Sequence, residues 1–189
     1  MKLFLDSIDS PVGRLAIVAH EKALCALHFG EADERLLVYL RRRFGDAELI
    51  GKADPLGAVS RLRAYFGGEI HALDDLPADC GGTAFQQRVW SALREIPVGA
   101  TTTYGELARR IGTPQACRAV GLANGSNPIA IVVPCHRVIG SNGTLTGYGG
   151  GLERKRWLLE LEGARLPFGA FNSGQHPPRA NEAAGGAAH

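Results

Sequence analysis

An apolar segment that ends in a cysteine restricts this chain more than any other stretch of its sequence. Residues 129–133 read Ile-Ala-Ile-Val-Val, and Pro-Cys-His-Arg follows at 134–137. An uninterrupted run rich in β-branched residues is typical of a buried strand, so we predict a strand that delivers Cys135 at its end. A nucleophile anchored by the core behind it keeps a fixed position, which favours reaction.

A thiol needs assistance to react, because its ordinary pKa of about 8.5 leaves it mostly protonated at neutral pH. His136 and Arg137 follow Cys135 directly and are candidates for a base or a cationic neighbour. The alternative is a small core cysteine, which is the common role of a cysteine beside an apolar run. The Cys135-His136 dipeptide alone does not distinguish a catalytic thiol from a core cysteine, since adjacent side chains usually point in different directions.

The cysteines are typical of a protein whose thiols stay reduced. Among the 189 residues, Cys25, Cys80, Cys117 and Cys135 are widely spaced and form no CxxC pair, unlike a disulfide framework. The N-terminal sequence lacks the apolar segment of a secretory signal, and no stretch is long enough to predict a membrane span. We therefore expect a cytoplasmic protein with no membrane partner.

Two cysteines and two histidines of the N-terminal half could in principle share a zinc ion: Cys25, His28, His71 and Cys80. Cys25 and His28 lie three apart in a predicted strand, so their side chains should face opposite sides. We predict no metal site, although the sequence alone does not decide whether these four residues bind one.

Charge is divided unevenly along the chain. Residues 1–82 carry 10 Lys and Arg against 13 Asp and Glu, whereas residues 83–165 carry 10 against 5. The basic part is the part that contains Cys135, which favours an anionic partner, nucleic acid among others. The excess is modest, and proteins that never bind DNA also show it.

Residues 1–82 predict a small α/β domain. Short apolar runs separated by turn residues over 1–30 indicate a small antiparallel sheet. Helical spacing of apolar residues predicts a helix over 32–44. A second helix over 54–66 opens with an Asp-Pro pair, an N-cap followed by proline at the first helical position. The acidic, glycine-containing connection at 69–82 ends this domain.

Residues 83–165 predict a mainly α-helical domain that contains a helix-turn-helix. Thr103 and Glu106 have the spacing of a capping box and open a helix over 104–111. A break of sequence Gly-Thr-Pro precedes a second short helix over 113–125. Two short helices joined in this way are typical of a DNA-binding helix-turn-helix.

The ends of this domain are also marked by sequence. Thr83 is the predicted N-cap of its first helix, and apolar residues at helical spacing predict a last helix over 152–161 that ends at Glu162. Ala, Gly, Pro and Asn dominate from there on, so we predict a disordered tail over 166–189.

Two features of the basic domain could contact a ligand. Arg118 lies on the second helix of the predicted helix-turn-helix, and small residues such as Ala119 and Gly121 would let that helix approach a groove closely; ordinary helix packing also uses small residues. Tyr148 precedes glycines at 149–151, a backbone that can pass close to a flat ligand. A flexible loop is the alternative there.

The motifs around Arg118, Cys135 and Tyr148 together resemble those of the O6-alkylguanine-DNA alkyltransferase family. RAVG at 118–121, PCHRV at 134–138 and GYGGG at 147–151 occur in the order of the family, and the resemblance covers roughly residues 83–163. It implies direct-reversal DNA repair. An alkyl group on O6 of guanine, or on O4 of thymine, in double-stranded DNA would pass irreversibly to Cys135 after the base is flipped out of the duplex.

The resemblance also implies roles for individual side chains. His136 would take the thiol proton through a bridging water, Glu162 would orient that histidine, and Asn127 would brace the turn that carries Cys135. Arg118 would enter the duplex in place of the flipped base. Further DNA-contacting residues would be Tyr104, which would also protonate guanine N3, with Thr103, Ala119 and Gly121. The guanine pocket would be lined by Val138, Tyr148, Gly149 and Gly150.

No cofactor and no metal is implied, and we expect a single-turnover enzyme that acts as a monomer, with cooperativity on DNA left open. Gly149 departs from many relatives, which carry a hydroxyl residue there. Three alternatives remain: a helix-turn-helix protein that binds alkyl damage without transfer, a cysteine hydrolase, and a helix-turn-helix regulator in which Cys135 is incidental.

Overall fold

The computed structural model describes residues 1–166, in which a small sheet with helices is followed by a mainly helical region. The strands are β1 (Lys2–Ile8), β2 (Leu15–Ala19), β3 (Leu24–Phe29), β4 (Glu48–Gly51), β5 (Thr102–Thr103) and β6 (Val138–Ile139). The α-helices are α1 (Glu34–Phe44), α2 (Ala58–Phe66), α3 (Ala84–Arg94), α4 (Tyr104–Arg110), α5 (Cys117–Gly125) and α6 (Leu152–Leu161). The tail predicted over 166–189 lies, apart from its first residue, outside the described residues.

The N-terminal sheet is mixed, which corrects the predicted antiparallel sheet. Its strand order is β3-β2-β1-β4, with β1, β2 and β3 antiparallel and β4 parallel to β1. The chain passes from β3 through α1 to β4, and such a crossover returns it in the same direction. β4 is missing from the sequence prediction because two apolar residues, Leu49 and Ile50, give too weak a periodic signal.

Strand β2 is fully buried because both faces of the sheet are covered. Leu15, Ile17 and Ala19 belong to the main core, which continues into the helical region. Ala16 and Val18 face the opposite side, where a smaller core includes residues of α1. The sheet therefore supports the C-terminal region on one face and carries α1 on the other.

Helix starts follow the capping residues of the sequence. The Thr83 and Thr103 side chains accept hydrogen bonds from Gln86 N and Glu106 N, at 3.2 Å each, and both form the complete capping box. The second helix of the predicted helix-turn-helix is shorter than expected. It begins at Cys117, because the residues before it form a separate turn.

The second N-terminal helix also begins later than predicted. A single 3₁₀ turn, Pro55–Gly57, precedes α2, and positive φ angles at Asp54 (48°) and Leu56 (59°) interrupt a continuous helix. Asp54 nevertheless acts as a cap, since its Oδ1 accepts from Val59 N at 2.8 Å.

The predicted strand before the cysteine is wrong. Residues 129–133 are buried but form only isolated bridges, and Ile131 has a φ of 71°. The apolar run reflects burial among several elements instead of a pleated strand, and periodicity cannot separate these cases for a short run. A 3₁₀ turn, Cys135–Arg137, follows and leads into β6, which pairs in parallel with β5.

Candidate active site

The Cys135 thiol is held at the start of its turn by a hydrogen bond from Asn127. The Nδ2 of Asn127 donates to the Cys135 Sγ at 3.1 Å and to the carbonyl oxygen of Val133 at 2.8 Å. The Oδ1 of Asn127 accepts from Ile129 N at 3.0 Å. Asn127 therefore holds the thiol and the backbone before it in a single hydrogen-bonded unit, and the residue Cys135 is only 5% exposed.

His136, the next residue, forms a fully buried pair with Glu162, which directly follows α6. His136 Nε2 and Glu162 Oε1 are 2.9 Å apart, and both side chains are 0% exposed. An ionised carboxylate can only accept hydrogen bonds, so Nε2 carries the proton and Nδ1 is the acceptor nitrogen of the neutral ring. Nδ1 is buried and has no hydrogen-bond partner among the described residues.

Glu162 collects two further donors. Arg137 Nε donates to Oε2 at 2.8 Å and its Nη2 donates to Oε1 at 2.9 Å, while its Nη1 donates to Ile96 O at 2.6 Å. Tyr65, on α2, donates its hydroxyl to Oε1 at 2.7 Å. The carboxylate is thus satisfied on both oxygens and links the N-terminal region to the cysteine turn.

Burial and these contacts set the protonation states. Burial raises the pKa of the Cys135 thiol, against the lowering effects of the Asn127 hydrogen bond and the Lys155 charge. Burial also lowers the pKa of His136 below its usual value. Burial alone would raise the pKa of Glu162, but hydrogen bonds from His136 and Arg137 outweigh it and hold that pKa well below its usual range. The site therefore combines a protonated thiol with a neutral imidazole.

Lys155, on α6, is fully buried. Its Nζ donates to Val138 O at 2.6 Å and to Thr146 O at 2.7 Å. Burial lowers its pKa to about 8. The ammonium joins the strand after the cysteine turn to the segment before Tyr148. No carboxylate of the described residues lies within ion-pair distance of the Lys155 Nζ.

Tyr104 connects the start of α4 to that same segment. Its hydroxyl donates to the carbonyl oxygens of Thr146 and Gly147, at 3.4 Å each, which are long and weak contacts. A Cβ on Gly121 would lie 3.8 Å from the Tyr104 ring, so α5 passes directly beside it. Thr103, by contrast, uses its hydroxyl within its own capping box.

The glycines after Tyr148 differ sharply in the space around them. A Cβ on Gly150 would lie 2.6 Å from Phe29 and 2.8 Å from Tyr148, so only glycine fits. A Cβ on Gly149 would meet nothing closer than Gly125 O at 4.0 Å. The Tyr148 hydroxyl is buried without a hydrogen-bond partner among the described residues, and burial raises its pKa well above the usual value.

The remaining predicted site residues divide into surface and core. Arg118 and Ala119 are exposed on α5. Val138 is fully buried in β6 and offers its backbone carbonyl to Lys155 instead of its side chain. The structure therefore brings the proposed catalytic residues together and places the proposed DNA-contacting residues on a neighbouring surface.

The four candidate metal ligands form no cluster. Cys25 donates its thiol to Val18 O, and His71 pairs with Asp74 at 2.8 Å. Within residues 1–166, no group of three or more His, Cys, Asp or Glu side chains could hold a metal ion. The same range holds no helix with the length and hydropathy needed to cross a bilayer.

Sequence reasoning misses several residues of this site. Tyr65 lies 97 positions before Glu162, and no local pattern connects the two. Asn124, interpreted from sequence only as the end of a helix, donates its Nδ2 to Cys135 O at 3.4 Å. Lys155 stands in a charged run of α6 that is typical of a solvated face, and its flanking residues are indeed partly exposed.

Taken together, the fold and the site define a class of protein in which a thiol bonded to an asparagine is followed in the chain by a histidine held by a buried carboxylate, in the same region as two short helices. Two family models identify it further. Residues 3–80 match the ribonuclease-like domain of 6-O-methylguanine DNA methyltransferase, and residues 84–164 match its DNA binding domain. The chain belongs to the 6-O-methylguanine DNA methyltransferase family.

Individual relatives agree with this assignment. The chain is 48% identical over 169 residues to a methylated-DNA–protein-cysteine methyltransferase of Shigella flexneri, covering 88% of this chain and 99% of that protein. It is 51% identical over 164 residues to a protein of the same name from Mycobacterium tuberculosis, covering 85% and 93%. A crystal structure of the Mycobacterium tuberculosis protein OGT in complex with DNA superposes with a TM-score of 0.70 at 48% identity, covering 89% of this chain and 96% of that one.

Proposed function

We propose that this protein repairs alkylated DNA by moving the alkyl group from O6 of guanine, or O4 of thymine, to Cys135. The observation that carries the proposal is a pair of contacts on consecutive residues: Asn127 donates to the Cys135 thiol, and His136, the next residue, is held by the buried carboxylate of Glu162. Family membership and a relative solved with DNA support the same reaction and partner.

The first step is removal of the thiol proton. His136 Nδ1 is the acceptor nitrogen of a neutral imidazole and takes the proton through a bridging water. Glu162 stabilises the imidazolium that forms, as an ion pair away from water. General-base assistance of this kind contributes about 10²–10⁴-fold to a rate, which is needed because burial raises the pKa of the Cys135 thiol.

The second step is displacement at the alkyl carbon. The S–C bond forms as the C–O6 bond breaks, and guanine gains a proton that balances the one lost by the thiol. Tyr104 is the proposed donor, to guanine N3, once its long contacts to Thr146 and Gly147 have opened. The product is a thioether, which water does not cleave, so each molecule acts once and needs no cofactor.

The base must leave the duplex to reach the sulfur. Cys135 is only 5% exposed, so a nucleobase enters when the segment around Thr146 and Gly147 moves away from Tyr104. Tyr148, Gly149 and Gly150 then form the pocket walls, together with the carbonyl of Val138. Breaking two contacts of 3.4 Å costs little compared with normal hydrogen bonds.

DNA binding is assigned to α4 and α5 as a helix-turn-helix, with α5 facing the duplex. Arg118 is exposed on α5 and fills the space that the flipped base vacates, while Ala119 and Gly121 keep the surface thin. Thr103 stands at the start of α4 and contacts phosphate. The boundary after residue 82 is part of the same proposal, since the excess of basic over acidic residues lies beyond it.

The test is to incubate the protein with duplex DNA bearing O6-methylguanine with a labelled methyl group and to weigh the protein and its peptides. We expect one methyl per molecule, on the Cys135 peptide, and no further turnover. Cys135→Ser should leave the label on DNA, whereas Cys117→Ser, which changes a more exposed thiol, should behave like the parent. Label that stays on DNA with the parent protein would indicate a damage-binding protein, and repeated turnover would indicate a hydrolase.

A further inference from the structure

Leu122, on α5, is the most exposed large hydrophobic side chain in residues 1–166, at 77%. A single exposed leucine is ordinary on a protein surface, but the position of this one is not. The other exposed residues of α5 are small, apart from Arg118. Leu122 and Arg118 are therefore the two side chains of α5 that can reach into a ligand lying on this helix.

These two residues lie on one stripe of the helix. Arg118, Leu122 and Gly125 occupy positions i, i+4 and i+7, which share a helix face, and four residues advance about 6 Å along the axis. The stripe ends beside the proposed pocket, since Gly125 O lies 4.0 Å from where a Cβ of Gly149 would stand. Leu122 thus lies between Arg118 and the edge of the proposed pocket.

We propose that Leu122 is a second insertion residue, an apolar wedge that enters the minor groove beside the flipped nucleotide. The inference rests on the proposed function, because it requires α5 to face DNA. Proteins that bind the minor groove use leucine and similar side chains to unstack a base step and kink the duplex. Arg118 fills the space of the flipped base, and Leu122 prevents the adjacent base step, on the side of the pocket, from stacking again.

The chemistry of leucine restricts what it can contact. It offers no hydrogen bond, so it cannot read the donor and acceptor pattern of base edges. The one apolar group that it could recognise in the major groove is the thymine methyl. Replacing thymine by deoxyuridine beside the lesion removes that methyl and leaves a wedge in the minor groove unaffected.

The first experiment compares Leu122→Ala and Leu122→Met with Leu37→Ala, a control that shortens a partly exposed leucine on α1. Single-turnover rates are measured with duplex O6-methylguanine DNA and with free O6-benzylguanine. Leu122→Ala should slow the duplex reaction by about tenfold, the loss typical of truncating an apolar anchor, and leave the free-base reaction unchanged. Leu122→Met should restore most of the duplex rate, and Leu37→Ala should change neither.

Three results would overturn the wedge. They are an unchanged duplex rate in Leu122→Ala, equal losses on both substrates, and a parent protein that loses the same factor on DNA with deoxyuridine beside the lesion. The last result would assign Leu122 to the major groove.

A second experiment does not depend on methyl transfer. In a Cys135→Ser background, 2-aminopurine placed next to O6-methylguanine reports unstacking as a rise in fluorescence. Adding Leu122→Ala should remove most of that rise at saturating protein, and adding Leu37→Ala should not. A rise that persists without Leu122 contradicts the wedge. Failure of the proposed function would instead show as a parent protein that never carries a methyl on Cys135, whatever the fluorescence.

Discussion

His136 and Glu162 lie 26 residues apart in sequence and meet at 2.9 Å with no exposure to solvent. The carboxylate fixes which ring nitrogen carries the proton and leaves the other as an acceptor. In a low-dielectric interior this charge is also worth more to a developing imidazolium than it would be in water. After Cys135 itself, the pair is therefore the part of the site whose removal should change the chemistry most.

Glu162→Gln should slow alkyl transfer by roughly 10²-fold, as removal of a group that orients and charges a histidine does. The amide keeps the shape of the side chain but neither stabilises the imidazolium nor fixes the tautomer. The measurement is the single-turnover rate with free O6-benzylguanine, which isolates the chemistry from DNA binding. Glu160→Gln, an exposed neighbour at the end of α6, is the control. Equal rates in both variants would remove Glu162 from the mechanism.

Stability should fall in acid through the same pair. The pKa of Glu162 is lower in the folded state than in the unfolded state. Its contribution to stability is therefore complete above the unfolded-state pKa of about 4.3 and is lost as pH falls toward the folded-state pKa. The pKa of His136 is also lowered by burial, so its contribution is complete above about 6.5 and is lost in acid too.

The free energy of unfolding in urea should therefore fall as the pH is lowered from 7 to 4. In Glu162→Gln it should depend less on pH below about pH 5 than it does in the parent protein. A parent protein whose stability is constant over this range would contradict the assigned protonation states.

Arg118→Ala should slow repair of duplex DNA much more than reaction with free O6-benzylguanine, because the proposed insertion of the arginine is needed only when a base leaves the stack. A loss of about 10-fold or more on duplex is expected, given that base flipping costs a few kcal/mol. Arg35→Ala, an exposed arginine on α1, controls for the lost charge. Equal losses on the two substrates would argue against insertion.

Gly149 and Gly150 should respond differently to the same methyl group. Gly150→Ala places a Cβ 2.6 Å from the Phe29 ring and should cost about 1–3 kcal/mol of unfolding free energy, as overpacking does. Gly149→Ala has its nearest neighbour at 4.0 Å and should change stability by less than about 0.5 kcal/mol. Urea denaturation of the two variants measures this, and similar losses in both would show that the loop packs differently.

Sequence alone determined the features that depend on near neighbours. Thr83 and Thr103 begin helices because their hydroxyls bond backbone groups three residues away, and Glu162 ends α6 as predicted. The motif around Cys135 also predicts the reactive residue and its histidine, since these are consecutive in the chain. Such signals survive in a single sequence because the interacting groups are close together in it.

Tertiary structure decided what depends on distant segments. It made the sheet mixed by pairing β4 with β1, turned the apolar run at 129–133 into buried irregular backbone, and buried Lys155 against two carbonyls. It also brought Tyr65 to Glu162. The physical reason is that burial and long-range hydrogen bonds are set by which surfaces meet on folding, and hydrophobic periodicity records that a residue is buried without recording its partner.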